Sequence, residues 1–174
     1  MEKKDNINLS GAAMKRIEQV KTVVTPVDFS DNSKLIAESA AFMAGSFKAP
    51  LLLLFVVQKF EDYSGFFVPQ MSIPDFEQDL FSQAEEKMES FCQELKAVAL
   101  EKGVSEVSGK VLVGDVAEQI VSFACKQEGG LIIMGTHGYK GLEKIMFGSV
   151  ADKVVKTASC PVLTINPYTC CTEE

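Results

Sequence analysis

Two short segments hold the residues best suited to chemistry. The first is Pro26-Val27-Asp28, which closes a β-branched run beginning at Thr22. The second is Gly135-Thr136-His137-Gly138, followed after nine further residues by Gly148-Ser149. Glycines so placed let backbone N–H groups approach an anion with no Cβ in the way, and a serine after the last of them can donate its hydroxyl at a helix N-terminus. The second segment therefore reads as an anion cradle, with Gly148 expected to turn its own N–H to the phosphate. With 12 glycines in 174 residues, a shuffled chain would show this G-x-x-G, nine-residue, G-[ST] pattern with a frequency on the order of half a per cent. Neither G-x-x-x-x-G-K-[ST] nor G-x-G-x-x-G occurs, which disfavours a P-loop and a dinucleotide fingerprint.

The elements that must position these segments follow from hydrophobic patterning. Thr22 to Val27 reads as a buried strand running into Ser30 and Asp31, either of which can cap a helix with Leu35, Ile36, Ala40, Met43 and Phe47 at helical spacing. Leu51 to Val57 is a continuous apolar strand, as expected of a parallel sheet covered on both faces. After an irregular, aromatic-bearing excursion from Gln58 to Pro74, Asp75 to Lys102 forms a long amphipathic helix ended by Gly103. Val107 to Val113 is a third strand, Gly114-Asp115 a turn and cap, and Val116, Ala117, Ile120, Val121 and Ala124 the stripe of a third helix. Leu131 to Met134, Ser149 to Ala158 and Val162 to Ile165 supply a strand, a helix and a last strand. This alternation implies right-handed crossovers and a single α/β domain, an open five-stranded parallel sheet with helices on both faces, Rossmann-like in kind. In such sheets ligands bind beyond the carboxyl ends of the strands, where strand order reverses. Both chemical segments sit at strand ends.

Composition narrows the partners. Hydrophobic residues at 47% and charged residues at 24% fit a globular chain with one core. A net charge of -7 repels nucleic acid and anionic membranes, so no nucleic acid or membrane partner is expected and a bound anion must be held locally. The five cysteines form no C-x-x-C pair, and His137 is the sole histidine, which argues against zinc and for free thiols in a cytoplasmic setting. The apolar run Ala49 to Val57 is far shorter than the roughly 20 residues a spanning helix needs.

The glycine spacing after the fourth strand, with Asp28 closing the first, resembles the universal stress protein family in its ATP-binding branch. The likeness covers Lys21 to Asn166, leaving 1–20 as an N-terminal extension and 167–174 as a tail. It implies the adenine nucleotide alpha hydrolase-like version of the fold, a homodimer, and ATP as ligand, accompanied by Mg2+ or Mn2+. Carried over by motif, Pro26, Val27 and Asp28 would line the adenosine, with Asp28 accepting from the ribose hydroxyls, and Val56 would pack on adenine. Met134, Gly135, His137, Gly138, Gly148, Ser149 and Val150 would enclose the ribose and phosphates. Two departures stand out: Phe55 occupies a position where many members have histidine, and the loop reads Tyr139-Lys140 where a basic residue followed by a small one is frequent. The resemblance implies a nucleotide-dependent stress-response or signalling module. The alternatives are a slow ATP-hydrolysing or adenylyl-transferring enzyme of the same fold, and a dimeric interaction module that binds no nucleotide. A structural reading also stands beside each residue: Asp28 as a helix cap, the glycines as turn residues, Val56 and Met134 as core, and His137 as a surface loop residue.

Overall fold

The computed structural model describes residues 19–58, 73–136 and 148–168, and the side chains of all of these but 73–77. The elements run β1 (Thr22–Pro26), α1 (Asp31–Phe47), β2 (Leu51–Val57), α2 (Ile73–Glu101), β3 (Val107–Val113), α3 (Val116–Cys125), β4 (Gly130–Gly135), α4 (Ser149–Thr157) and β5 (Val162–Ile165). The strands form one parallel sheet in the order β3-β2-β1-β4-β5, as expected from the alternation of patterns. Strand order reverses between β1 and β4.

Alternation of side chains along each strand builds two cores. Val23, Val27, Leu51, Leu53, Val111, Leu131 and Ile133 pack on one face with α1 and α2. Val24, Leu54, Val56, Ile132 and Met134 pack on the other with α3 and α4. The expected stripe of α1 is rotated in the structure. The helix buries Ser33, Ile36, Ala37, Ala40, Ala41 and Ala44, whereas Leu35 is 49% exposed. Four alanines make the tight side of α1, and backbones there approach closely. A Cβ on Gly45 would lie 1.8 Å from the Lys102 carbonyl oxygen at the end of α2, so this helix pair packs only because residue 45 lacks one. Val20, one residue ahead of the expected domain start, is buried in the first core.

The helix starts were legible in side-chain chemistry. Ser30 caps α1 by accepting from the Ser33 N–H at 3.3 Å, and Asp115 caps α3 by accepting from the Glu118 N–H at 2.9 Å. Among the described residues one buried side-chain group is unmatched: the Thr25 hydroxyl, next to the end of β1, is fully buried and has no hydrogen-bond partner.

Candidate functional site

The crevice at the strand-order reversal originates in one missing hydrogen-bond donor. Val23 donates to Pro50 O at 3.0 Å and Val27 to Leu54 O at 2.9 Å, so odd residues of β1 turn their main chain to β2 and even residues turn theirs to β4. The β1–β4 ladder pairs Thr22 with Gly130 and Val24 with Ile132, and no further. The next even position is Pro26, which has no N–H to give. The pairing with β2 continues to Pro26 opposite Leu54, so β1 stays with β2 while its end parts from β4.

Main-chain groups face this opening from both sides. On β4, Ile132 donates to Pro161 O at 3.0 Å and Thr136 to Ile165 O at 2.8 Å, so even residues serve β5. The main chain of Gly135 accordingly faces the β1 side, past the last rung. On β2, Leu54 O faces β1, so the N–H and C=O of Val56 also face that side, beyond Pro26. Two strand spacings separate β2 from β4, about 10 Å.

The turn after β1 is built around the Asp28 carboxylate. Its Oδ1 accepts from the Ser30 N–H at 3.1 Å, the Ser30 hydroxyl at 2.5 Å and the Ser33 hydroxyl at 2.5 Å. The Ser33 hydroxyl in turn accepts from the Asp28 N–H at 2.8 Å. The first of these closes an Asx-turn across Phe29, which lies in the left-handed region at φ 60. That conformation costs a bulky residue about 1–2 kcal/mol, and aromatic packing offsets it. The Phe29 ring centroid lies 4.6 Å from that of Phe55 and 6.0 Å from that of Phe91, the latter edge-on at 70°. Phe55, where the resembled family often has histidine, thus serves as the anchor of the Asp28 turn.

Helix α4 starts without a side-chain cap, because its N-cap is Gly148. The early N–H groups of an α-helix have no intrahelical partner, and together with the helix dipole they attract anions. Gly148 itself departs from the expectation: its N–H donates to the Thr136 carbonyl at 2.7 Å and is thereby engaged within the protein. Its φ of -67 is ordinary, so no left-handed conformation demands glycine here. Glycine is favoured instead by close approach, since a Cβ would lie 3.1 Å from the Thr136 oxygen. Among the described residues no side chain caps the first turn of α4, whose N–H groups begin with Ser149 and Val150.

The structure brings Val56, Met134 and Val150 into one apolar cluster on the α3–α4 face, while Val27 lies in the core of the opposite face. Pro26, Asp28, Gly135, Gly148 and Ser149 fall at the ends of β1 and β4 and the start of α4. His137 and Gly138 lie outside the described residues. Sequence reading missed a cavity of about 450 Å³ beyond the end of β2, lined by Phe29, Phe55, Val56 and Gln58, with Lys87 of α2 and Val116 of α3. Its walls come from four separate segments, and only the Leu80-Ala84 stripe of α2 hinted at the meeting. Among the described residues no group of three or more His, Cys, Asp or Glu could hold a metal ion.

Fold and site together define an α/β protein with a main-chain-lined crevice at its switch point and an uncapped helix start beside it. The profile of the universal stress protein family matches residues 19–166, and the chain belongs to that family. It is 37% identical over 147 residues to the universal stress protein MJ0531 of Methanocaldococcus jannaschii, covering 83% of this chain and 81% of that one. The solved structure of MJ0577, of the same organism, superposes with a TM-score of 0.68 at 29% identity, covering 85% of this chain and 96% of that one. Solved neighbours of the same fold include a universal stress protein in complex with cAMP (TM-score 0.60, 18% identity, 86% and 98% covered). They also include one from Archaeoglobus fulgidus in complex with dAMP (TM-score 0.55, 22% identity, 84% and 98% covered). Among the described residues no helix is long and apolar enough to cross a membrane.

Proposed function

We infer that the protein binds an adenine nucleotide, ATP by the family branch it resembles, in the crevice between β1 and β4, and acts as a nucleotide-dependent stress-response or signalling module. The observation that carries this reading is the opening at Pro26, flanked by the uncapped start of α4. In this reading the phosphates lie at the first turn of α4, with Gly135, Ser149 and Val150 around them and His137 and Gly138 contributing from the segment that follows β4. The ribose lies against Asp28, whose carboxylate is oriented by Ser30 and Ser33. The base lies against Val56 and Met134, with the Val56 main chain offering one donor and one acceptor to its edge. The separation of about 10 Å between β2 and β4 suits a nucleoside monophosphate laid across β1. Two solved relatives that hold adenine nucleotides lend the reading further support.

An accompanying Mg2+ or Mn2+ would be held mainly by phosphate oxygens and water, the usual arrangement for these cations, since the described residues supply no carboxylate cluster. Hydrolysis should be slow, below roughly one turnover per minute against a typical enzyme range of about 1 to 1000 per second. Phosphoryl transfer needs a positioned base and a metal clamp, and Asp28 Oδ1 is already committed to three donors. A homodimer formed through β5 is part of the same reading. That strand is a sheet edge carrying the exposed Leu163, and a two-fold pairing would satisfy it.

The deciding experiment is to purify the protein from cells, release any ligand by heat and identify it by mass, then titrate the stripped protein with ATP, AMP and GTP calorimetrically. Co-purified adenine nucleotide and preference for ATP over GTP support the reading. Absence of binding to all three nucleotides would overturn it in favour of the interaction module.

A further inference from the structure

At about 450 Å³ the cavity beyond the end of β2 falls within the size range of small-molecule sites, roughly 300–1000 Å³. It straddles the strand end. Phe55 and Val57 reach it from the α2 face of the sheet, Val116 from the α3 face, and Leu80 from α2 itself. The Phe29 ring adds a further wall, its centroid 4.6 Å from that of Phe55. Large apolar side chains scattered singly over a surface are ordinary, but these five stay only partly buried around one hollow, which is the pattern of a binding site.

The charge of the cavity is equally specific. Lys87 is the only charged residue among the described ones that line it, with Gln83 one helical turn away on α2. The residues three and four positions from Lys87 are Gln83, Ala84, Ser90 and Phe91, so α2 offers it no carboxylate at pairing distance. No ion pair engages Lys87 among the described residues either. In a chain of net charge -7, an apolar hollow whose one charge is positive favours an apolar anion over a cation.

We propose that this cavity binds an aromatic monocarboxylate, with its ring packed on Phe29 and Phe55 and its carboxylate on the Lys87 ammonium. An added ring can join the Phe29–Phe55 pair in the offset or edge-on arrangements that aromatic rings prefer. The Gln83 amide offers the carboxylate an N–H donor beside the cation. The cavity lies over β2 and α2, whereas the crevice lies between β1 and β4, and Val56 borders both.

The test titrates the full-length chain with naphthoate, followed by the probe's own fluorescence, and with naphthamide as an uncharged control of the same shape. Saturation at one naphthoate per chain is expected. Lys87→Met keeps the apolar stem and removes the charge; it should weaken naphthoate about fivefold, the upper end for an exposed ion pair, and leave naphthamide unchanged. Lys87→Arg should restore naphthoate binding. Nuclear Overhauser contacts from the bound ring should reach the methyl groups of Leu80, Val57 and Val116. No nucleotide enters any of these readouts, so they stand whether or not ATP binds the crevice. The proposal is overturned if naphthoate does not bind, if Lys87→Met weakens naphthoate and naphthamide equally, or if the ring contacts the Met134 and Val150 methyls instead.

Discussion

Replacing Gly148 tests whether the start of α4 holds phosphate, and the structure sets the size of the effect. A Cβ at 148 would lie 3.1 Å from the Thr136 oxygen, a few tenths of an ångström too close. That carbonyl cannot simply retreat, because the Thr136 N–H is bonded to Ile165 O at 2.8 Å and Gly148 itself bonds the carbonyl at 2.7 Å. The start of α4 must move instead, and the first-turn N–H groups move with it. Alanine needs a small shift and suits the observed φ of -67, so about a threefold loss of ATP affinity is expected, or ~0.7 kcal/mol. Valine adds two methyl groups at the same contact and should weaken ATP at least tenfold, about 1.4 kcal/mol. Ser149→Ala, which removes a hydroxyl without moving the helix, should cost about 1 kcal/mol or more. Calorimetric titration with ATP gives the affinities, and circular dichroism with a thermal melt checks that the fold survives. If Gly148→Val bound ATP within twofold of wild type, the start of α4 would not be where phosphate sits.

Three further changes probe the scaffold. Gly45→Ala should lower the melting temperature by about 5 °C or more, because the new Cβ meets the Lys102 carbonyl at 1.8 Å; helix propensity alone predicts a gain of about 1 kcal/mol, so a rise in melting temperature would refute the close-packing argument. Thr25→Val should leave stability unchanged or raise it by about 1 kcal/mol, since an unbonded buried hydroxyl costs about 1–3 kcal/mol, and a measured loss above about 1 kcal/mol would show that the hydroxyl has an unseen partner. Asp115 is held below the usual carboxylate range first by the Glu118 N–H it caps and also by Lys153, 3.2 Å away. A depressed folded value means that its stabilisation is present above the unfolded value of about 3.9 and is lost as pH falls through the folded value. Denaturant unfolding of Asp115→Ala should therefore show a deficit of about 1 kcal/mol at pH 7 that shrinks as pH falls below the unfolded value of about 3.9, and a deficit independent of pH would contradict the cap.

Much of the fold was legible because two periodicities are physically distinct. Leu51 to Val57 reads as a strand because an unbroken apolar run of that length suits a sheet buried on both faces, and it is one. Asp115 was legible as a cap, and Ser30 as one of two candidates beside Asp31, because their side chains satisfy donors that every helix start leaves open. The face of α1 was not. Leu35 and Ile36 are equally apolar in sequence, and which of them is buried depends on the line of alanines at 37, 40, 41 and 44 that lets α1 sit close to its neighbours. Small residues weigh little in a hydrophobic pattern yet decide where backbones can approach.

The site divides in the same way. The spacing of Gly135, Gly138, Gly148 and Ser149 pointed to the strand-end loop because glycine and a helix start together have few other uses there. The contact that favours glycine at 148 is with Thr136, a partner fixed by the tie of Thr136 to β5, and no local pattern reports that tie. Pro26 is the sharper case. In sequence it reads as the end of a strand, since proline is poorly tolerated inside a sheet. Its structural consequence depends on parity. Because Val23 and Val27 donate to β2, the missing donor at 26 falls on the β4 side, at the single place in the sheet where strand order reverses. One residue earlier or later, the same proline would face β2 and break a ladder that the structure keeps. The opening at the switch point therefore rests on a registration between β1 and β2 that only the assembled sheet defines.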